Sequence, residues 1–186
     1  MKLTTLKNYD FFEVSSAFQK AIRRGDEDTA MYFAVELFNS GYGEYLWKRI
    51  KVICSEDIGL AEPYLPAVIA ALYDAFIAQV KKNDEKHKPE RLQITHAVLL
   101  LARAKKSRLV DWALLAYWAK HEHEKREIPD YAYDKHTIKG RHLKRSIDFT
   151  YVEGTKLENH YPQAREDELK KCAYLAEKKN LTLFET

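Results

Sequence analysis

The chain has 186 residues, of which 46% are hydrophobic and 32% are charged, and its net charge is +3. This length suits one domain, or one domain with an appendage, and so small a net charge does not by itself indicate a nucleic-acid-binding protein. Six glycines and five prolines supply too few turn residues for an all-β fold. The composition therefore favours an all-α fold.

The cysteine count and the hydropathy pattern bear on the compartment. Cys54 and Cys172 are too few for a disulfide framework in a chain of this length, and we expect two buried thiols in a reducing environment. Asp10 and Glu13 come too early for a signal peptide, and the longest apolar run is far shorter than the roughly 18 residues of a membrane span. These features predict a soluble, cytoplasmic protein with no membrane partner.

Apolar periodicity and capping residues predict six helices in the first two thirds of the chain. Asp10 caps the first, which ends at Gly25, and Asp26 or Asp28 caps the second. Four more are predicted over residues 44–56, 63–82, 89–102 and 107–125, with an exposed, charged loop over residues 81–90. Because consecutive helices are joined by short links, we predict a bundle of antiparallel helical hairpins.

The pattern changes after Pro129, where tyrosines and charges are frequent and helical periodicity is weaker. We therefore expect a helical domain over residues 1–128 and, over residues 129–186, a basic, tyrosine-rich extension packed on the same domain. Within the extension we predict a helix over about residues 136–150 and a last helix over 163–179. The inner side of that last helix is predicted to carry Leu169, Cys172, Ala173 and Ala176.

Three segments carry a resemblance to a known family. The most specific is the nine-residue string Ser55-Glu56-Asp57-Ile58-Gly59-Leu60-Ala61-Glu62-Pro63, which we call the signature segment. The runs Ser16–Arg23 and Ala97–Ser107 support it, and the three occur in the family's order. Together they resemble the domain that follows the ATPase domain in MgsA/RarA-type AAA+ proteins.

The resemblance implies an all-α fold related to the collar domains of clamp loaders, in a region that assembles subunits, commonly as tetramers, near replication forks. It suggests a homo-oligomer, a dimer or a tetramer, with a full-length AAA+ ATPase as a possible partner. No Gly-x-x-x-x-Gly-Lys-[Ser/Thr] motif is present in the sequence, which excludes a Walker phosphate site. We therefore expect no enzymatic activity, no catalytic residue and no cofactor or metal.

The sequence after residue 125 departs from the ATPase-bearing members of this family. The strings Asp134-x-His136-Thr137-x-x-Gly140-Arg141 and Glu153-Gly154-Thr155-Lys156-Leu157-Glu158-Asn159 look more like a stand-alone branch of the same domain.

Glu56 and Asp57 are the acids of the signature segment. They fall at the C-terminal end of a predicted helix, where the helix dipole disfavours anions, so other groups should offset their charge. We expect Asp57 to cap a neighbouring turn and Glu56 to pair with a cation such as Arg23 or Arg49. The alternative is an ion pair between subunits or a site that binds a partner.

A basic stripe lies in the extension, and no acid interrupts it. Its candidate nucleic-acid contacts are Lys135, Lys139, Arg141, His142, Lys144 and Arg145. Such a stripe could neutralise phosphates in a salt-dependent manner, while Tyr131, Tyr133 and Tyr151 could stack on unpaired bases. The alternative is a solvated charged face. A second basic cluster, at residues 103–108, is better explained by the preference of cations for helix C-termini.

Two histidine-containing segments suggest metal ligands. His121 and His123 alternate on a helix and point apart, so they cannot bind one ion together. Asp134 and His136, together with His142 or Glu153, form a mixed set that metals accept, although nothing in the sequence fixes its geometry.

Three hypotheses follow from these patterns. The leading one is a non-catalytic oligomerisation or scaffold module associated with DNA replication or repair. The second is a DNA-binding accessory protein that uses the basic stripe at 135–145, and the third is a small metal-dependent hydrolase. An outward-facing share of the helical aromatic residues, which include Trp112 and Trp118, would suit an interface between subunits.

Overall fold

The computed structural model of the protein describes residues 3–82 and 88–184, without the side chains of Lys82 and residues 180–184. Over these residues the structure is helical, and β pairing is limited to one isolated bridge between Thr4 and Asp10. The predicted all-α fold is confirmed. Most of the predicted loop over residues 81–90 lies outside the described residues. None of the helices described is both long and apolar enough to cross a membrane.

The chain divides into two compact units, unit 1 with residues 1–124 and unit 2 with residues 125–186. In unit 1 the helices are α1 Phe11–Arg24, α2 Glu27–Asn39, α3 Gly43–Ile53, α4 Leu65–Lys82, α5 Glu90–Arg103 and α6 Leu109–His123. In unit 2 they are α7 Ile138–His142, α8 Ile147–Val152 and α9 Glu166–Phe184. The division falls four residues before the boundary that composition suggested.

Local sequence signals explain where the first helices begin and end. The Asp10 carboxylate accepts hydrogen bonds from the backbone N–H groups of Phe12 and Glu13, and Asp26 caps α2 by accepting from Thr29. Both caps satisfy N–H groups that have no partner inside the helix. Gly25 ends α1 with φ of +73°, a backbone conformation that glycine adopts without strain. The predicted bounds of these two helices are confirmed.

Unit 1 has a continuous hydrophobic core that α1 to α5 enclose. The largest side chains that are completely buried include Trp47, Phe18, Ile22, Leu37, Leu46, Ile50, Ile53 and Leu101. The ring of Trp47 lies 5.4 Å from that of Tyr73 and 5.4 Å from that of Phe76, which joins α3 to α4. Burial of this apolar surface is the main source of stability for the unit.

Unit 2 differs from the predictions in two respects. The helix expected over residues 136–150 is two short helices, because Lys144 has φ of +54° and interrupts the helical path between them. The residues predicted on the inner side of the last helix are exposed: Leu169, Cys172, Ala173 and Ala176. Among the described residues of this unit Ile147 is the only buried large apolar side chain, so α9 has no apolar layer of its own to cover.

The two cysteines also lie in different environments. Cys54 is buried at the end of α3, as predicted, but Cys172 is exposed on α9, so the prediction of two buried thiols is half wrong.

Candidate functional site

The signature segment lies where regular helix gives way to tighter and wider turns. α3 continues into a π-helical turn, Cys54–Ile58, which is followed by a 3-10 turn, Gly59–Ala61. π-helical turns occur frequently at functional positions. Gly59 has φ of +50°, and a Cβ atom added to it would lie 2.8 Å from Cγ2 of Val110. Both the backbone conformation and the neighbouring side chain therefore require glycine here.

Asp57 is a completely buried carboxylate at the centre of this segment. Its Oδ1 accepts from Nε of Arg23 at 2.7 Å, and its Oδ2 accepts from Nε2 of Gln19 at 3.1 Å. Both partners lie on α1, so the carboxylate bonds α1 to the end of α3. The sequence suggested that Asp57 caps a neighbouring turn. Its side chain does not do so, because Arg23 and Gln19 of α1 occupy its acceptor atoms. A buried charge is tolerated where it is paired and hydrogen-bonded in this way.

Glu56 extends the same network towards the surface. It pairs with Arg23 at 3.2 Å, which confirms one of the two predicted partners. The other candidate, Arg49, instead donates to the side-chain oxygen of Gln19. Arg23 of α1 thus offsets the two anions at the end of α3, where the helix dipole disfavours them.

Arg108 joins the network to α6, and the sequence did not single it out for this role. Its guanidinium lies 3.4 Å from Glu56 and 3.4 Å from Asp57, and it forms an ion pair with Asp111. Its Cζ also lies 4.5 Å from the centre of the Trp112 ring, within the range of a cation–π interaction. We call Arg23, Glu56, Asp57, Arg108 and Asp111 the acid–arginine cluster.

The first turn of α6 is bound to the signature segment by backbone and apolar contacts as well. The backbone N–H of Ser107 donates to the carbonyl of Asp57 at 2.9 Å. Ser107 also accepts from the N–H of Leu109 at 3.2 Å, so this serine closes the turn before the helix, although Arg108 occupies the capping position itself. Within unit 1, α6 packs mainly against the π-helical and 3-10 turns. The signature segment is therefore the surface against which α6 packs.

Beyond its first turn α6 is unusually apolar and unusually exposed. It has no buried residue, and exposed fractions of 49–69% are found for Leu109, Trp112, Leu114, Leu115, Tyr117 and Trp118. The eight residues from Trp112 to Ala119 carry no charge. At 100° per residue these side chains surround the helix rather than forming one stripe. Continuous exposed apolar surface of this kind marks interaction sites.

The second basic cluster serves the local structure. Nζ of Lys106 donates to three backbone carbonyls at the end of α5, which confirms that a cation stabilises this helix C-terminus. Burial lowers the pKa of Lys106, and the charge of Asp57 opposes that shift. Arg103 pairs with Glu27 of α2 through two hydrogen bonds of 2.7 and 2.9 Å.

The basic stripe lies in unit 2, and the structure separates its members into two groups. Lys135 pairs with Glu177 and Arg145 with Asp130, so both are already neutralised. The exposed members are Lys139, Arg141, His142 and Lys144. Lys139 lies 4.0 Å from the centre of the Tyr133 ring, and Arg141 donates to the carbonyl of His136.

The candidate metal ligands are not brought together. Asp134 accepts from the backbone N–H of His136 at 2.9 Å and so closes a tight turn, and His142 follows on α7. Within residues 3–82 and 88–184 no group of three or more histidine, cysteine or acidic side chains has an arrangement that could hold a metal ion. His121 and His123, at the end of α6, are both exposed.

The fold and this site define an all-α domain of packed helices in which a partly buried ion cluster holds an exposed apolar helix. Residues 24–183 match the family described as the MgsA AAA+ ATPase C-terminal domain, and the chain belongs to that family. The predicted resemblance is confirmed. The match continues through unit 2 to residue 183, so unit 2 is part of the same family domain.

Individual relatives agree with the family. The replication-associated recombination protein A of Bacillus subtilis is 32% identical over 143 residues, which cover 75% of this chain and 32% of that protein. Its Escherichia coli counterpart is 32% identical over 122 residues, 65% of this chain and 25% of that protein. An AAA domain-containing protein of Mycobacterium tuberculosis is 35% identical over 109 residues, 56% of this chain and 22% of that protein. The chain thus matches only 22–32% of these relatives' length.

Proposed function

We propose that the chain is a non-catalytic assembly module that forms homo-oligomers through α6 and serves DNA replication or repair. One observation carries the proposal: α6 exposes large apolar side chains around its whole circumference. The association with replication rests on the names of the relatives, which are replication-associated recombination proteins. A full-length AAA+ ATPase with the same C-terminal domain is the natural second partner.

A second copy of this chain is the occupant that best fits α6. The eight residues from Trp112 to Ala119 carry no charge, so two copies can pair through this stretch without burying an unpaired charge. Antiparallel pairing also opposes the two helix dipoles, whereas parallel pairing aligns them. Ala116 also lets two helix backbones approach closely at the midpoint.

The circumference of α6 favours a tetramer over a dimer. One neighbouring helix covers only one side of a helix, so a simple pair would leave a large apolar surface in water. Trp112 and Trp118 lie 120° apart around the helix at 100° per residue, so they point in different directions. A tetramer with closed symmetry can supply each helix with more than one neighbour.

Light scattering over a range of concentrations tests this proposal. We expect a discrete oligomer for the wild type and a loss of roughly tenfold or more in self-association for Leu115→Gln, because buried apolar residues near an interface centre dominate its energy. The matched control is Leu92→Gln on α5, which is 69% exposed and should not change the mass. A wild type that stays monomeric at every concentration would rule the proposal out.

DNA binding by unit 2 is a second candidate, favoured by the four exposed members of the basic stripe. If it holds, Lys139→Ala, Arg141→Ala and Lys144→Ala together abolish binding to single-stranded or forked DNA and reduce its salt dependence. Fluorescence anisotropy with labelled DNA measures both quantities. Lys135→Ala, which removes a cation already paired with Glu177, is the control. Unchanged affinity in the triple variant would exclude this candidate.

A further inference from the structure

We infer that the acid–arginine cluster sets the direction of α6, so that residues outside the interface control whether the chain assembles. This inference rests on the proposed function of α6. It assigns to the signature segment a role in positioning the assembly helix, in addition to its contribution to stability.

The first argument is that α6 is held at one end. Its base is bound by the hydrogen bond from Ser107 to Asp57, by the close approach of Val110 to Gly59, and by Arg108. With 15 residues the helix is about 22 Å long, so a tilt of about 10° at the base moves its far end by roughly 4 Å. Interfaces pack as densely as protein interiors, so a displacement of that size would separate the apolar surfaces.

The second argument is that Arg108 has contacts on both sides of the junction. It reaches Glu56 and Asp57, which α1 holds in place, and it also pairs with Asp111 and stacks on Trp112 of α6. The guanidinium donates hydrogen bonds to Glu56 and Asp111 in directions that its plane fixes, whereas a lysine ammonium gives one charge without direction.

The third argument is the difference between Arg23 and Arg108. Arg23 makes the shorter contact with Asp57, 2.7 Å against 3.4 Å, and would by itself neutralise the buried carboxylate. Arg108 is therefore not needed to neutralise the buried charge of Asp57. Apart from its pairing with Glu56, its remaining side-chain contacts are with Asp111 and Trp112 of α6, which is the pattern expected of a positioning residue.

Arg108→Gln tests the inference, with Arg103→Gln as the matched control. Both variants remove one ion-paired arginine from unit 1, but Arg103 pairs with Glu27 and does not contact the signature segment. We expect Arg108→Gln to raise the concentration at half-assembly by roughly tenfold, a change of about 1.4 kcal/mol. It should also speed amide exchange across residues 112–123, which a role in stability alone would not confine to α6. Arg103→Gln should change neither quantity.

Arg108→Lys keeps the charge and provides a variant that folds if Arg108→Gln does not. We expect its half-assembly concentration to fall between those of the wild type and Arg108→Gln, because the lysine cannot reproduce the directed contacts. Wild-type assembly in both Arg108 variants, or equal losses in Arg108→Gln and Arg103→Gln, would overturn the inference. A wild type that never assembles refutes the proposed function instead. An oligomer that is sensitive to Leu115→Gln but not to Arg108→Gln refutes the inference alone.

Discussion

Units 1 and 2 have similar secondary structure but differ in what holds it together. Unit 1 encloses a continuous core in which Trp47, Phe18 and Ile50 are completely buried. In unit 2, among the residues that the structure describes, the core is reduced to Ile147. Helix content alone therefore says little about stability, because most helical stability in proteins comes from packing of an apolar face.

Polar contacts take the place of a core in unit 2. Lys135 pairs with Glu177 of α9, and Arg145 pairs with Asp130 and lies 4.1 Å from the centre of the Phe149 ring. Exposed ion pairs and cation–π contacts each contribute on the order of 0–1 kcal/mol. We therefore expect unit 2 to open at a lower free energy than unit 1.

The same substitution placed in each unit gives the largest expected difference. Ile50→Ala leaves a cavity in a dense core and should lower the free energy of unfolding by about 2–5 kcal/mol, whereas Ile147→Ala should lower it by less than about 1 kcal/mol. All three tryptophans lie in unit 1, so tryptophan fluorescence during urea unfolding reports on that unit, while amide exchange in residues 125–184 reports on unit 2. Equal losses in the two variants would show that unit 2 has a core comparable to that of unit 1.

Substitution of one glycine in each unit tests the same difference with a smaller expected effect on stability. Gly59→Ala introduces strain at φ of +50° and a contact of 2.8 Å with Val110, so it should destabilise unit 1 by about 2–3 kcal/mol. Gly140→Ala brings a Cβ atom into the backbone carbonyl of Asp134, a more severe clash. Even so, it should leave the fluorescence transition of unit 1 unchanged and speed amide exchange in residues 125–184. A lowered fluorescence midpoint for Gly140→Ala would show that the two units unfold together.

The predictions from sequence succeeded where the signal is local. Asp10 and Asp26 cap α1 and α2 as expected, because a cap depends on residues within one turn. The pair between Glu56 and Arg23 was one of two options that charge alone suggested. In unit 2 similar local signals were present but missed, since Thr137 and Ser146 cap two separate helices and so divide the stretch predicted as one.

The features that sequence could not supply depend on distant residues. Arg108 contacts Asp57, which lies 51 positions earlier in the chain, and its own segment contains several cations that the sequence does not distinguish from it. Periodicity also could not reveal that α6 is exposed, because a helix that is apolar on every side resembles a buried one. On α9 the regular spacing of Leu169 and Cys172 predicted an inner face, but the spacing of apolar residues does not show whether another layer exists to cover them.

The smallest expected difference between the two units is the reactivity of their thiols. Burial raises the pKa of Cys54 to about 11, whereas Cys172 is exposed on α9. Only the thiolate reacts with a disulfide reagent, so at about pH 8 both the scarcity of thiolate and the burial protect Cys54. We expect one thiol per chain to react at once in the native protein, and the second to react only as fast as unit 1 opens.

Titration with an aromatic disulfide reagent, with and without urea, measures the two thiols directly. Cys172→Ser should abolish the fast phase and leave the slow one, while Cys54→Ser should do the reverse. If Cys54 reacts slowly because unit 1 must open, Ile50→Ala should accelerate its reaction. The factor should correspond to the loss in the free energy of unfolding that this variant causes. Acceleration of the Cys54 phase by Gly140→Ala would contradict that account, since it would make the opening of unit 2 sufficient to expose the core of unit 1.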